Sequence, residues 1–277
     1  MKAPDLWQII KPEKAKMLDN KLDLKVSAAA DMLIASKKLV IFTGAGVSTE
    51  SGIPDFRSSG GIWTKFDPDD FTIQKFINDP KARKKHWDLI MNGGITADVE
   101  PNAAHYAIAE LNMLGKLDSV ITQNVDNLHQ KAGVPDDIVL ELHGNMQWVI
   151  CLNCGKRYPF EQFIGLPDLS ENIPDCEECN GILKPDAVFF GEQLPQHVLQ
   201  EATLRSSTCD LFIVIGSSLS VYPAAYMPEY AKQAGAEMII INIDPTLCDK
   251  YADLLIKSKA GIAMENILNK VKDKLQR

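Results

Sequence analysis

Residues 38–57 run KLVIFTGAGVSTESGIPDFR, a strand delivered straight into glycine. The run KLVIF has the length and the β-branched, aromatic make-up of a buried strand. It enters Gly44-Ala45-Gly46 with no intervening polar residue except Thr43. A strand followed by Gly-x-Gly suits a phosphate-binding turn, because a backbone without Cβ atoms can approach a pyrophosphate closely. The dinucleotide fingerprint asks for a third glycine three residues after Gly46, and Thr49 stands there. Nor does a second strand closing on an acid follow about 20 residues on, as ribose recognition in that motif requires. The loop continues instead into Pro54-Asp55-Phe56-Arg57, which ordinary dinucleotide binding does not explain.

Further apolar runs recur along the chain, each closing on polar residues or glycine: SVITQN (119–124), IVLELHG (138–144), DLFIVIGSS (210–218) and EMIIINID (237–244). Such runs suit a parallel sheet buried on both faces, with ligand contacts at the carboxyl ends of the strands. Helical patterns alternate with them. DLKVSAAADMLIAS (23–36) places Val26, Ala29, Ala30, Leu33 and Ile34 on one face, and NAAHYAIAELNMLG (102–115) begins after Pro101 and closes at Gly115. The fold class is therefore α/β. Two stretches interrupt the alternation: a charged, helical one near 66–100 and a cysteine-bearing one over 146–190.

Composition narrows the function classes. A chain of 277 residues, 45% hydrophobic and 24% charged, can bury one large core and a small module. No run approaches the roughly 20 apolar residues of a membrane span. The opening MKAPDLWQIIKPEKAK lacks an apolar signal-peptide core, so a cytoplasmic location is expected. A net charge of -8 and a pI near 5.2 argue against a dedicated nucleic-acid binder.

The cysteines carry the strongest local signal. CLNCGKRY holds Cys151 and Cys154, and CEECNG holds Cys176 and Cys179. Two Cys-x-x-Cys knuckles let four thiolates converge on one tetrahedral ion, and Gly155 and Gly181 ease the tight turns beside them. Four thiolates fill the coordination shell of zinc and leave no open position, so this zinc should be structural. Catalysis must lie elsewhere. TQNVDNLHQKAG (122–133) sets Gln123, Asn124 and Asp126 after one strand, and ELHG sets His143 after the next. Taken singly, Asn124 and Asp126 could equally cap the following helix, and His143 could be a turn residue. Two amides, a carboxylate, a histidine and a glycine loop at one sheet edge make a candidate site.

These segments together resemble the sirtuin family of NAD-dependent protein-lysine deacylases, in its prokaryotic form. The resemblance rests on GAGVSTESGIPDFRSSGGIW, TQNVDNLH, LHG, the two Cys-x-x-Cys pairs, LKPDAVFFGEQLP, GSSLSVYPAA and INID, in family order from about residue 40 to 262. It implies a Rossmann-like parallel sheet with helices on both faces and a small inserted zinc-binding domain with an adjoining helical segment. The implied boundaries are 1–65, 101–145 and 191–277 for a discontinuous NAD-binding domain, 66–100 for a helical insert and 146–190 for the zinc module.

The same resemblance assigns roles. NAD would be a cosubstrate, held by Gly44, Ala45, Gly46, Ser48, Phe56, Arg57, Gln123, Asn124, Asp126, Gly216, Ser217, Ser218, Asn242, Asp244 and Ala260. PDFR would then belong to a loop that covers the nicotinamide ribose, and ribose recognition would move to the late strand ending in Asn242 and Asp244. Asn124 and Asp126 would orient the nicotinamide carboxamide, and the acyl oxygen of the substrate would attack the anomeric carbon. His143 would act as general base on a ribose hydroxyl. Acyl-lysine proteins or peptides would add as an extended strand between Val188, Phe190, Gly191 and Glu192 on one side and Leu219 to Tyr222, including Val221, on the other. The products would be nicotinamide, O-acetyl-ADP-ribose and free lysine. Mono-ADP-ribosyl transfer to a protein remains the alternative at the same site, and neither membrane nor direct nucleic-acid binding is expected. Relatives that prefer succinyl or malonyl lysine carry a Tyr-x-x-Arg pair on a helix. Counting along DPKARKKHWDLI from Asp79-Pro80 puts Trp87 and Ile90 at those positions, so a neutral acyl group is expected.

Overall fold

β1 (Leu39–Thr43) is buried along its whole length and lies at the centre of a six-stranded sheet. The structure is a computed structural model and describes residues 12–91, 99–164 and 174–276. Most of the stretch expected to lack a signal peptide, and parts of the 66–100 and 146–190 interruptions, lie outside the described residues. On one side of β1 stand β2 (Leu117–Thr122) and β3 (Val139–Glu141); on the other stand β7 (Leu211–Ile215), β8 (Glu237–Ile241) and β9 (Leu254–Ile256). Every pairing is parallel.

Side chains alternate between two apolar layers, as a strand's period of two demands. Leu39, Ile41, Ile213 and Ile239 face one layer with α1 (Pro12–Ala35), α4 (Ala103–Met113) and α8 (Ala260–Leu275). Val40, Phe42, Phe212 and Ile240 face the other with α6 (Gln196–Thr208) and α7 (Tyr226–Gln233). Each large apolar side chain buried this way contributes about 1.5–3 kcal/mol. β9 was not anticipated, because Leu254–Ile256 is three residues long and too short for a periodic signal.

The apolar runs became strands, with one division. IVLELHG does not continue as a single strand: β3 stops at Glu141 and β4 (Gly144–Cys151) starts in a different sheet. Gly144 makes the change of direction possible. Its φ is +76°, and a Cβ there would lie 2.0 Å from Asp186 O. His143 therefore sits at the joint between two sheets. The second sheet is antiparallel, in the order β5 (Arg157–Pro159), β4, β6 (Leu183–Ala187). It packs on the helical segment, α2 (Ile73–Asn78) and α3 (Pro80–Met91), through Ile73, Phe76, Trp87, Val149, Phe163 and Leu183. The two interruptions of the α/β pattern thus share one core.

Three histidines are buried, His86 in the small lobe, His105 on the first turn of α4 and His129 beside it, with ring centres 5.1 Å apart. Burial lowers the pKa of His86 and His105 to about 4, and that of His129 well below 6.5. A histidine with a depressed folded pKa contributes fully above its unfolded value near 6.5, and that contribution drains away as pH falls towards the folded value. For His86 and His105 the loss reaches about 3 kcal/mol each near pH 4, which is large against a total stability of roughly 5–15 kcal/mol. The expected outcome is a melting temperature that is level above pH 7 and falls steeply between pH 6.5 and 4. A flat thermal profile across that window would contradict the neutral, buried assignment.

Candidate active site

The glycine loop is fixed by contact with the turn after β7. Gly44 N–H donates to Ile215 O at 3.1 Å and Gly46 N–H to Gly216 O at 2.8 Å. A Cβ on Gly46 would lie 2.7 Å from Gly216 Cα, and one on Gly216, whose φ is +63°, would lie 2.3 Å from Val47 N. The N–H groups of Val47 and Ser48 close short turns onto Gly44 O and Ala45 O. The loop is therefore ordered by the protein itself, and glycines are needed because two backbones cross without room for side chains.

Ser48 is fully buried and is the hub beneath this loop. Its hydroxyl donates to Asp126 Oδ2 at 2.7 Å and accepts from Asn124 Nδ2 at 3.1 Å. Asp126 Oδ1 accepts from Leu128 N–H at 3.0 Å, so the carboxylate also ties down α5 (Leu128–Lys131). One carboxylate oxygen of Asp126 thus holds the start of α5 and the other meets Ser48. His105 approaches Ser48 Oγ through Nε2 at 3.5 Å. Its Nδ1 accepts Asn102 N–H at 3.2 Å, so in the neutral ring the proton is on Nε2. Asn102 caps α4 and reaches back to Val47 O at 2.8 Å and Ser51 Oγ at 3.0 Å. Neither Asn102 nor His105 was singled out from the sequence. The only signal was Pro-Asn ahead of a helix, which reads as a cap.

His143 is half-buried, and its Nδ1 lies 2.9 Å from Gln123 O. A carbonyl only accepts, so Nδ1 carries the proton and Nε2 presents a lone pair. Burial lowers its pKa below 6.5, outweighing the hydrogen bond to the carbonyl, which raises it. The imidazole is thus a free base at neutral pH. Gln123 Nε2 donates to Ser217 Oγ at 2.8 Å, which links His143 to the β7 turn. The backbone carbonyl of His143 accepts Val188 N–H at 2.8 Å. The segment after β6 is therefore stitched to the strand end that carries the base.

The remaining expected residues fall into three groups. Phe56 and Arg57 are exposed, and Phe56 stacks on Trp63 at 5.2 Å, which in turn meets Phe190 at 5.8 Å. The aromatic line bridges the PDFR loop and the segment after β6. Ser218 is exposed and pairs with Ser220, while Asn242 turns its amide to Asp244 O at 2.8 Å at the end of β8; Ala260 is buried where α8 begins. Of the expected substrate residues, Gly191 and Tyr222 are exposed and Val188 and Val221 half-buried. Phe190 is 45% exposed, but its N–H donates to Phe71 O and its carbonyl accepts Ile73 N–H, both at 3.0 Å. Its backbone is spent on the helical insert. Glu192 turns its carboxylate inward, where Oε2 accepts Phe189 N–H at 2.6 Å.

Trp87 and Ile90 are both buried on α3, and Trp87 stacks on Phe163 at 5.9 Å. Arg83, one turn earlier, gives its guanidinium to Phe76 O at 2.9 Å and Ile77 O at 3.1 Å. This part of α3 offers no free hydroxyl or guanidinium pair among its described side chains.

The four Cys-x-x-Cys sulfurs lie within 4.8 Å of one another, with the Cys151 and Cys179 sulfurs 3.5 Å apart and those of Cys154 and Cys176 3.6 Å apart. Gly155 takes φ +74°, as expected, whereas Gly181 serves differently: a Cβ there would lie 2.9 Å from Cys151 Sγ. Tyr158 Oη lies 3.1 Å from Cys176 Sγ. Converging sulfurs in a cradle a methyl group would fill fit one structural zinc.

The chain is similar to known proteins over most of its length. The model of the Sir2 family matches residues 44–223. NAD-dependent protein deacetylase 1 of Pyrobaculum aerophilum is 45% identical over 253 residues, 91% of this chain and 95% of its own. NAD-dependent protein deacylase 2 of Archaeoglobus fulgidus is 46% identical over 250 residues, 90% and 96% of the two chains. A solved Sir2 with a deacetylated p53 peptide and 3'-O-acetyl-ADP-ribose is 37% identical with a TM-score of 0.78, covering 87% of this chain and 96% of its own.

Cys151 and Cys176 belong to the small lobe's core, so losing the ion should loosen that core. Metal analysis should find a single zinc for the one four-cysteine cluster. A strong chelator, or Cys151→Ala, should remove it and lower the melting temperature. A folded protein of unchanged stability without metal would show that the cluster is not a zinc site.

Proposed function

The chain belongs to the Sir2 family, and from that premise we propose that its site is an NAD-dependent protein-lysine deacylase that yields nicotinamide, O-acetyl-ADP-ribose and deacylated lysine. The observation that carries the reading is a neutral His143 with Nε2 free, joined through Gln123 and Ser217 to the glycine loop and through Val188 to the segment after β6. NAD supplies, when bound, a ribose carbon that becomes electrophilic as nicotinamide departs. Asn124 and Asp126, oriented by Ser48, hold the carboxamide. His143 Nε2 takes the proton from a ribose hydroxyl, and Nδ1 stays bonded to Gln123 O, so the ring keeps its orientation as it becomes charged. Phe56, Trp63 and Phe190 keep water from the reacting carbon. Gly191 offers exposed backbone to an incoming strand, and Val188 with Phe190 walls its acyl group.

The division into an NAD-binding unit (1–65, 101–145, 191–277), a helical insert (66–100) and a zinc module (146–190) belongs to the same proposal; the core of the small lobe, distinct from those of the large sheet, supports setting insert and module apart from the NAD-binding unit, and the two share that core. Cysteines held as zinc ligands, with Cys209 and Cys248 as free buried thiols, suit the reducing cytoplasm.

Incubation with carbonyl-labelled acetyl-lysine peptide and labelled NAD tests the proposal. Nicotinamide release should depend on peptide, and the acyl label should move to ADP-ribose; NAD label retained on protein would speak for ADP-ribosyl transfer instead. His143→Ala should lower kcat at least 100-fold, on the scale of a lost general base, with NAD affinity nearly unchanged. Since burial holds its pKa below 6.5, activity should be level through neutral pH and decline only on the acid side of 6.5.

Acyl preference follows from α3. An anionic succinyl group carried towards Trp87 and Ile90 would lose its hydration and find the nearby Arg83 guanidinium already committed to Phe76 O and Ile77 O, at a cost of several kcal/mol. On one peptide, kcat/KM for acetyl should exceed that for succinyl by tenfold or more, as about 1.4 kcal/mol already gives. The reverse order would remove α3 from acyl selection.

A further inference from the structure

Lys184 is a charged residue that none of the chemistry above uses. It lies on β6, opposite Ile150 of β4, and is 2% exposed. A buried ammonium must have all three of its protons satisfied, and this one has. Nζ donates to Ala187 O at 2.6 Å, to Pro185 O at 3.0 Å and to Glu192 Oε2 at 3.0 Å. It also stands 4.4 Å from the centre of the Phe189 ring. Its contacts therefore begin at the end of β6 and close on the far side of the turn that follows.

Glu192 completes the clasp. The oxygen that meets Lys184 also accepts Phe189 N–H at 2.6 Å, and Glu192 N–H returns to Phe189 O at 3.0 Å. Residues 187–192 are thus gripped from inside by Lys184 and Glu192. From outside they are held by His143 O on Val188 and by Phe71 and Ile73 on Phe190. Gly191, at φ +84°, stands at the open tip of this turn. A buried ion pair is seldom the most stable filling for its volume, since an apolar pair of the same size often does as well. What it adds is a single geometry.

We propose that Lys184 is a positioning residue for the substrate: through Glu192 and the Ala187 carbonyl it fixes the 188–191 turn, whose exposed tip Gly191 offers the backbone on which an acyl-lysine strand is laid. The inference rests on the deacylase reading and deepens it. Lys184 touches neither the glycine loop nor the Ser48 hub, so its direct contacts lie on the peptide side of the site.

The test separates position from stability. Lys184→Met removes the cation and leaves Glu192 partly buried, and this variant should melt lower than wild type. Lys184→Met/Glu192→Gln removes both charges and should recover most of that melting temperature. In both variants KM for an acetyl-lysine peptide should rise about tenfold or more while KM for NAD stays within about twofold, a split that separates substrate positioning from general damage. If the double variant regains wild-type peptide KM together with its stability, the pair is only a structural filling and the inference is overturned. An equal rise in both KM values would overturn it as well. Wild type is assayed first: no peptide-dependent nicotinamide release there would overturn the deacylase reading and this inference with it, whereas an active wild type with unaltered variants overturns this inference alone.

Discussion

Gly46 and Gly216 pass each other so closely that a single methyl group on either would lie within 2.7 Å or less of backbone atoms of the other turn. That crossing is the constraint on which the site depends. Two adjacent parallel strands, β1 and β7, end side by side, and their turns are locked together by Gly44 N–H to Ile215 O and Gly46 N–H to Gly216 O. Glycine is required on both sides because the contact is backbone on backbone. Once the turns are locked, Ser48 is carried inward to Asp126 and the buried Ser217 meets Gln123, so the polar strand ends of β1, β2 and β7 share one wall.

Ser48 then turns that wall into a single hydrogen-bonded unit. A buried hydroxyl without partners would cost about 1–3 kcal/mol; here it donates to Asp126 and accepts from Asn124, with His105 behind it. The partners of the Ser48 hydroxyl come from two places, the segment after β2 and the start of α4. His143 stands apart from this hub, at the joint where β3 gives way to β4, and that separation is chemically useful. Asp126 is restrained by Ser48 Oγ and Leu128 N–H and the imidazole by Gln123 O, so His143 Nε2 keeps its lone pair independently of the hub.

The small lobe contributes from a distance. Its zinc cluster lies at the far end of β4, and the opposite end of the same strand is Gly144, next to His143. β6 runs back alongside β4 and ends in the turn held by Lys184 and Glu192. A structural ion that fixes the β4–β6 pair therefore bears on where both His143 and the Val188–Gly191 edge come to rest, although no thiolate has a place in the chemistry.

Much of this was legible in the chain before any coordinates. The α/β class came from apolar runs ending in glycine or polar residues, the zinc from paired Cys-x-x-Cys spacing, and Gln123, Asn124, Asp126 and His143, with the glycine loop, from their positions just after strands; the other NAD and substrate residues came only from the family resemblance. Such signals are local: period, spacing and turn chemistry need only neighbours in sequence. Lys184, Asn102 and His105 were out of reach for the opposite reason. Each gains its meaning from atoms brought close by folding, such as Val47 O for Asn102, 55 residues away, and Ser48 Oγ for His105, 57 residues away. The inward turn of Glu192, the spending of Phe190's backbone on the helical insert, and the split of IVLELHG between two sheets are likewise tertiary outcomes. Strand periodicity and turn chemistry set which groups stand at the strand ends. Only the packing of two lobes decided which of their atoms remain free, because a hydrogen bond made inside the protein is one that no substrate can use.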